Sequence, residues 1–269
     1  MFAYMEHGSN TETPLAAPPT YVIPNLKKGI EVLMLLSAHH DGLRLKDISE
    51  QLDIPKTTAL RILSTFCSEG MSIKTGDRYA PGFKLIQLGM RTLCGMELRK
   101  AATLPLQELS RKTGETAHLA VLSENKSLIL DVCDSPNPLR IASRAGTQVP
   151  LYCSSTGKVF IAFVLCGPDV EAFTHNEPLE RRAPHTLTSQ SALKKEIVKI
   201  RAQGYALDDE EFFENVRCLA APVRDGRGAV VAALGITAAT VRFKKDQVAK
   251  VAASVLAAAA DIARNLGAS

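Results

Sequence analysis

The sequence predicts an α+β chain, an N-terminal winged helix-turn-helix followed by a larger domain built on an antiparallel sheet. Three observations predict it. Residues 42–70 hold two amphipathic helical stripes separated by a break at Asp53-Ile54-Pro55. A short basic hairpin pattern follows at 73–79, and from residue 116 onward strand-like runs alternate with helical ones. Length agrees, since 269 residues suit about two domains and a 46% hydrophobic fraction is ample for two cores.

The first module is expected over 21–82. Residues 1–20 contain Gly8, Ser9, Asn10, Pro14, Pro18 and Pro19 without a hydrophobic period, which predicts a disordered leader. A helix is expected over 25–38, burying Ile30, Leu33, Met34 and Leu36. Leu45, Ile48 and Leu52 lie three and four apart and predict the buried face of a second helix. Pro55 suits the first turn of a third helix, whose stripe is Leu60, Leu63 and Phe66 and whose C-cap is Gly70. Lys56, Thr57, Thr58 and Arg61 are left outward near its start. A cation, two hydroxyls and an arginine fork are the groups that meet phosphates and base edges in a DNA groove. Periodicity alone equally fits an ordinary helical hairpin with a polar face. The short turn, the lack of carboxylates among those outward residues and the hairpin behind them favour DNA reading. Lys74 and Arg78 flank the Thr75-Gly76-Asp77 turn of that hairpin, as a phosphate-touching wing requires, with Glu69 and Asp77 as the nearby acids. Net charge is +4, too small for a bulk polyanion binder. Residues 21–100 nevertheless carry 12 Lys and Arg against 8 Asp and Glu, whereas 101–269 carry 20 against 18, so the shorter N-terminal part is the more basic.

A linker helix is expected over 83–100, with Leu85, Leu88, Thr92 and Met96 at helical spacing, a stripe that packs on its own domain or on a second subunit. The second domain, 101–269, opens with strands at 116–123 and 127–132 around a Glu124-Asn125-Lys126 turn. Residues 139–144 and 148–153 read as extended. A helix starts near Ser155 and runs through Lys158 and the apolar stretch after it. Another covers 189–203, with Thr188 as N-cap and Gly204 as C-cap. Strands at 217–223 and 229–237 flank the hairpin turn Arg224-Asp225-Gly226-Arg227-Gly228, and an alanine-rich helix spans 246–266. Together these describe an antiparallel sheet with helices on its faces, a sensor-like domain of roughly GAF or PAS type.

Several function classes recede. No segment reads as a transmembrane span or a signal peptide; the longest apolar stretch, 251–260, is too short and ends at Asp261. The six cysteines show neither C-x-x-C spacing nor companion histidines, so reduced thiols in a cytoplasmic protein without metal or cofactor are expected. Asp208-Asp209-Glu210-Glu211 invites a metal or acid–base reading, but neighbouring side chains alternate on a strand and fan out on a helix, and no histidine joins them. Cys153 and Cys218 raise a thiol-enzyme or redox-sensor option, against which free cysteines are mostly small core residues. Gly157-Lys158 lacks the spacing of a P-loop. The competing classes are a ligand-responsive transcription factor, which is preferred and would carry no catalytic residues, and a small-molecule-metabolising enzyme with an accessory basic domain.

The motif order carries a family resemblance. IPKTTALRIL in the helix-turn-helix, then LYCSSTGKVFIAF, GYALDDEE and RCLAAPVRDGRGAVVAALGIT, resemble isocitrate-lyase-regulator (IclR) type transcription factors over about residues 24–267. GYALDDEE with RCLAAPV is the most specific pair. The chain departs from the family pattern at Asn215, where Gly is frequent, at Ala80-Pro81-Gly82 after the wing tyrosine, and at Met71-Ser72 where an apolar pair usually opens the wing. The resemblance implies a regulator of catabolic genes that binds double-stranded DNA at a pseudo-palindromic operator as a homodimer or homotetramer, away from membranes. It also implies an effector-binding C-terminal domain.

Residues 154–158 sit at a helix start, where free amides and the helix dipole form an anion site. A plain helix cap fits those residues as well, and the resemblance favours a small carboxylate held there by Ser155, Thr156 and Gly157. Carried over position by position, the effector-binding residues are Ser155, Thr156, Asp208, Cys218, Gly235 and Thr237. Family members often have serine where Gly235 stands, which implies extra pocket volume and an acid bulkier than two or three carbons, aromatic acids included.

Overall fold

The computed structural model describes residues 21–39, 41–166 and 179–268, and the leader expected over 1–20 lies outside them. The chain divides into two compact units, up to Thr92 and from Leu93 onward.

In the first unit α1 (Pro24–Ser37), α2 (Leu45–Gln51) and α3 (Lys56–Ser68) close on a core of Val32, Leu36, Ile48, Ile54, Ala59 and Leu63. The turn between α2 and α3 is held by Asp53 at φ 49° and by the Ser49 hydroxyl, which donates to Ile54 O at 2.6 Å. Two stripes differ from expectation. On α1 the buried line is Gly29, Val32 and Leu36, while Ile30 and Met34 are 55% and 66% exposed. On α3 Ala59 replaces Leu60, which is exposed. In both cases a small residue faces the core because the helices cross closely; a Cβ on Gly29 would lie 3.2 Å from the Phe66 ring. The wing forms: β2 (Ser72–Thr75) pairs with β3 (Arg78–Pro81), and β3 with β1 (Leu43–Arg44). Ser72 is buried, and its hydroxyl donates to Ala80 O at 2.8 Å, which is how the chain tolerates a polar residue there.

The linker region is two helices, α4 (Phe83–Gly95) and α5 (Glu97–Thr113), because Gly95 is followed by Met96 in extended conformation. The second helix escaped the sequence reading since Pro105 lies inside it. The carbonyl of Ala101, deprived of its helical donor by that proline, accepts instead from the Asn265 side chain at 2.9 Å.

The second unit is an antiparallel sheet in the order β6-β5-β4-β9-β8-β7. Its strands are β4 (Thr116–Ser123), β5 (Lys126–Cys133), β6 (Gln148–Val149), β7 (Ala206–Asp209), β8 (Val216–Arg224) and β9 (Val230–Ala239). Period-two alternation sends Leu119, Leu219, Leu234 and Ile236 to one face, where α5 and α8 (Val248–Asn265) pack. Ala120, Ala220 and Ala233 face the other way, under α6 (Ser155–Phe160), its π-helical continuation Ile161–Leu165 and α7 (Gln190–Gln203). The stretch 139–144 forms no strand, and β6 stops at Val149 because Pro150 has no amide to donate. Ser189 rather than Thr188 caps α7, its hydroxyl accepting from Ala192 N at 3.3 Å, and Gly204 closes the helix at φ 82°. Asn215, in the place where glycine is frequent, has φ 60°.

No helix among the described residues is long and apolar enough to cross a membrane, and no cluster of His, Cys, Asp and Glu among them could hold a metal.

Candidate functional site

The first unit presents a polar helix start. Pro55 is the N-cap of α3 and supplies no side-chain cap, so the first amides of the helix face outward with the positive end of its dipole. Lys56, Thr57 and Arg61 are exposed there and Thr58 is half-buried. Arg61 borders a groove of about 380 Å³ between α1 and α3, with Asn25, Thr58 and Thr65. On the wing Lys74 lies 5.4 Å over the Tyr79 ring, and Arg78 donates to Gly42 O at 2.8 Å, which fixes its guanidinium against the β1 turn. The Asp77 carboxylate is paired with Arg44 at 2.8 Å, so the acid that counted against the wing is neutralised by a residue the sequence reading passed over.

The second unit holds a cavity of about 200 Å³ between the start of α6 and the face of the sheet that α6 covers. Ser154, Ser155 and Thr156 form one wall, and Asp208, Cys218, Thr237 and His118 the opposite one. Ile129, Ile141, Val149, Phe212, Phe213 and Val216 supply apolar sides, and the exposed Arg144 lies at its edge. Of the seven residues expected to bind effector, Ser155, Thr156, Asp208, Cys218 and Thr237 line it.

Gly157 and Gly235 do not. The Gly157 amide is already taken by the Ser154 hydroxyl at 3.2 Å, and a Cβ there would sit 2.4 Å from Leu151 Cα. That glycine lets α6 approach the preceding turn. Gly235 pairs with His118 on β4 and Ala220 on β8, and a Cβ on it would lie 3.1 Å from His118 Nε2 and 2.8 Å from Leu219 O. The space at Gly235 is therefore occupied by the imidazole and is not spare pocket volume. A serine there would have to displace the His118 ring.

His118 is a site residue the sequence reading missed. Its Nδ1 lies 3.4 Å from Thr237 Oγ1, which lies 3.4 Å from Cys218 Sγ, and Cys218 pairs in register with Asp208. One polar side chain from each of β4, β9, β8 and β7 thus makes a row across the sheet. Burial lowers the His118 pKa to about 4, leaving it neutral near pH 7. Burial raises the Asp208 carboxyl to about 6 against the pull of Lys158 and of the Glu211 and Phe212 amides, which donate to its Oδ1 at 2.8 and 3.4 Å. Burial, and then the Asp208 charge, hold the Cys218 thiol well above its ordinary range, and Cys153 is pushed to about 12 by burial. Both are protonated thiols, without the thiolate that a nucleophile or redox sensor needs. A histidine alternating with Ala117 and Leu119 on an apolar strand was the available signal.

The second missed residue is Lys158, wholly buried on α6. Its ammonium donates to Leu207 O at 2.6 Å and to the Glu211 carboxylate, with Glu196 of α7 at 3.7 Å. The acidic run splits accordingly: Asp208 and Glu211 face the interior, while Asp209 pairs with Arg217 and with Lys245 at 2.8 Å.

Comparison with known proteins identifies both units. Residues 25–71 match the IclR helix-turn-helix domain, and residues 90–264 match the bacterial transcriptional regulator IclR C-terminal domain. The chain is 34% identical over 225 residues to the HTH-type transcriptional regulator KdgR of Escherichia coli, covering 83% of this chain and 85% of the relative. It is 34% identical over 254 residues to the glycerol operon regulatory protein of Streptomyces griseus, covering 91% and 97%. The crystal structure of Thermotoga maritima IclR superposes with a TM-score of 0.72 at 28% identity, over 91% of this chain and 99% of that one. Two domain matches that together span most of the chain, and relatives above 30% identity along nearly all of it, make this protein a member of the IclR family of bacterial transcriptional regulators, with a DNA-binding and an effector domain.

Proposed function

We propose that the protein binds a pseudo-palindromic operator through Lys56, Thr57, Thr58 and Arg61 of α3 and through Lys74 and Arg78 of the wing, and that a small organic acid in the sheet cavity modulates this binding. The observation that carries the reading is the cavity itself, where Ser154, Ser155 and Thr156 at the start of α6 face the row of His118, Thr237, Cys218 and Asp208 between apolar walls. Its volume of about 200 Å³ exceeds the roughly 150 Å³ that suffices for benzene in an engineered protein cavity, so an aromatic or similarly bulky acid fits. The cavity volume, and not Gly235, sets the size of acid that fits. Calorimetry across acids from two carbons to benzoates tests it. The bulkier acids are expected to bind, and preference for two-carbon acids would refute the size argument.

On DNA, Arg61→Ala is expected to cost roughly 1–3 kcal/mol of operator binding if the guanidinium reads a base, with specificity relaxed at that position. Lys56→Ala should weaken all sequences alike and flatten the salt dependence by about one unit. Electrophoretic titration of an operator selected from random sequence checks both. Wild-type affinity in Arg61→Ala would remove α3 from the groove.

The chain is proposed to act as a homodimer or a dimer of dimers, since one helix-turn-helix reads too few bases to find a genomic site. None of α4 is buried, and Phe83, Ile86 and Met90, on one helical face, are 78%, 60% and 51% exposed. This stripe, rather than Leu85 and Met96, which are half-buried, is the surface a second copy would cover. Ile86→Glu with Met90→Glu should weaken self-association about ten-fold or more in sedimentation. A wild-type monomer at micromolar concentration, with and without DNA, would end the dimer proposal.

A further inference from the structure

The cavity's two polar walls come from different parts of the chain. One is the start of α6, with Ser155 and Thr156; the other includes Asp208 near the end of β7 and, in the loop after it, Phe212 and Phe213. A single buried cation spans them. Lys158 sits on α6 one turn beyond Ser155 and Thr156, and its Nζ contacts Leu207 O, the residue before Asp208, at 2.6 Å, and the Glu211 carboxylate three residues after Asp208. Glu211 N in turn donates to Asp208 Oδ1 at 2.8 Å, and Glu211 O accepts from the Thr186 hydroxyl at 2.6 Å. Glu196 at 3.7 Å brings α7 into the same cluster.

The cluster is poor as a pure stabiliser. Lys158 is fully buried, and Glu211 Oε2 is buried with no hydrogen-bond partner among the described residues. Apolar side chains of similar volume generally hold such a place at least as well as an ion pair, because desolvation consumes the Coulombic gain. What an ion pair adds is direction. Its donors and acceptors have fixed partners, so the loop cannot slide along α6 without breaking them.

We propose that Lys158 is a positioning residue of the effector cavity: by gripping Leu207 O and Glu211 it sets where Asp208 and the Phe212 wall stand relative to Ser155 and Thr156. This rests on the cavity being the effector site as read above. The test contains no ligand, so its outcome is separate from that reading.

The full-length double variant Lys158→Met/Glu211→Leu removes the pair and leaves neither charge orphaned, and it should melt close to wild type. Two readouts then distinguish positioning from filling. Hydrogen exchange of the Glu211 and Phe212 amides, the donors to Asp208 Oδ1, should accelerate roughly ten-fold or more while the β8 and β9 ladder amides keep their protection. The Asp208 carboxyl, followed by carbon NMR, should titrate above about 6, since it loses the attraction of Lys158 and a firm hold by the two amide donors; Glu211, Cys218 and Cys153 are the other ionisable groups that interact with it. If loop exchange and the Asp208 midpoint both match wild type in a folded double variant, Lys158 only fills space and the proposal is overturned. Should the double variant fail to fold, Glu211→Gln, which keeps shape and removes one charge, carries the exchange readout. Expected is loop-confined acceleration, and unchanged loop exchange there overturns the proposal equally.

Discussion

Lys158→Met alone is expected to destabilise the C-terminal unit by about 3–5 kcal/mol. Losing the ammonium strands Glu211, whose second oxygen already has no partner among the described residues and whose first would lose its ion pair. The cost should shrink as pH falls, because a protonated Glu211 needs no counter-charge; burial already pushes this carboxyl upward, which brings protonation within reach of mild acid. At roughly 2–4 °C per kcal/mol for a domain of this size, the melting temperature should fall by roughly 10 °C at neutral pH. A loss under about 1 kcal/mol, measured by urea unfolding with the double variant as reference, would mean that water reaches Glu211 and that the charge cluster is not buried in solution.

His118 should impose an acid limit on the same unit. Its pKa is about 4 when folded and 6.5 when exposed. Above 6.5 the ring is neutral in both states and its contribution is constant. As pH falls from 6.5 to 4 the unfolded chain takes up a proton that the folded chain refuses, and about 3 kcal/mol of stability is lost over that window. Asp208 acts with the opposite sign: its folded carboxyl, raised to about 6, binds a proton before the unfolded one does, so stability rises as pH falls from 6 toward 4. The wild-type curve mixes both, and the comparison with His118→Asn isolates the imidazole. The stability of wild type relative to this variant should drop by about 3 kcal/mol between pH 7 and pH 4. A difference independent of pH would show that the ring is hydrated and does not belong to the row across the sheet.

Much of the fold was legible because its signals are local. The third helix was readable from Pro55 and the stripe through Leu63, the seventh from Gly204, and the β8–β9 hairpin from the Asp225-Gly226 turn. The readings that failed needed knowledge of a neighbour. Periodicity put Ile30, Met34 and Leu60 inside because they are large, whereas close helix crossing reserved those faces for Gly29 and Ala59. The helix through Pro105 went unassigned, and Asn265, 160 residues further along, supplies Ala101 O with the donor that the proline lacks. The site divides likewise. Ser155, Thr156, Asp208, Cys218 and Thr237 were reached by resemblance, while Gly235 was read as empty space because its occupant, His118, is distant in sequence.

The sequence by itself determined the helix-turn-helix with its outward cations and the strand and helix alternation, since each is encoded within a few residues by turn chemistry, caps and hydrophobic period, while its motifs carried the resemblance that gave the family and most cavity hydroxyls. The strand order that aligns His118, Thr237, Cys218 and Asp208, and the burial of Lys158 between α6 and the β7 loop, were decided only by the tertiary structure. A residue's type states what it can bond to. Which groups come near it, and how much water remains, depends on pairings between segments 49 to 119 residues apart, and those two quantities set the charge of His118 and the partners of Lys158.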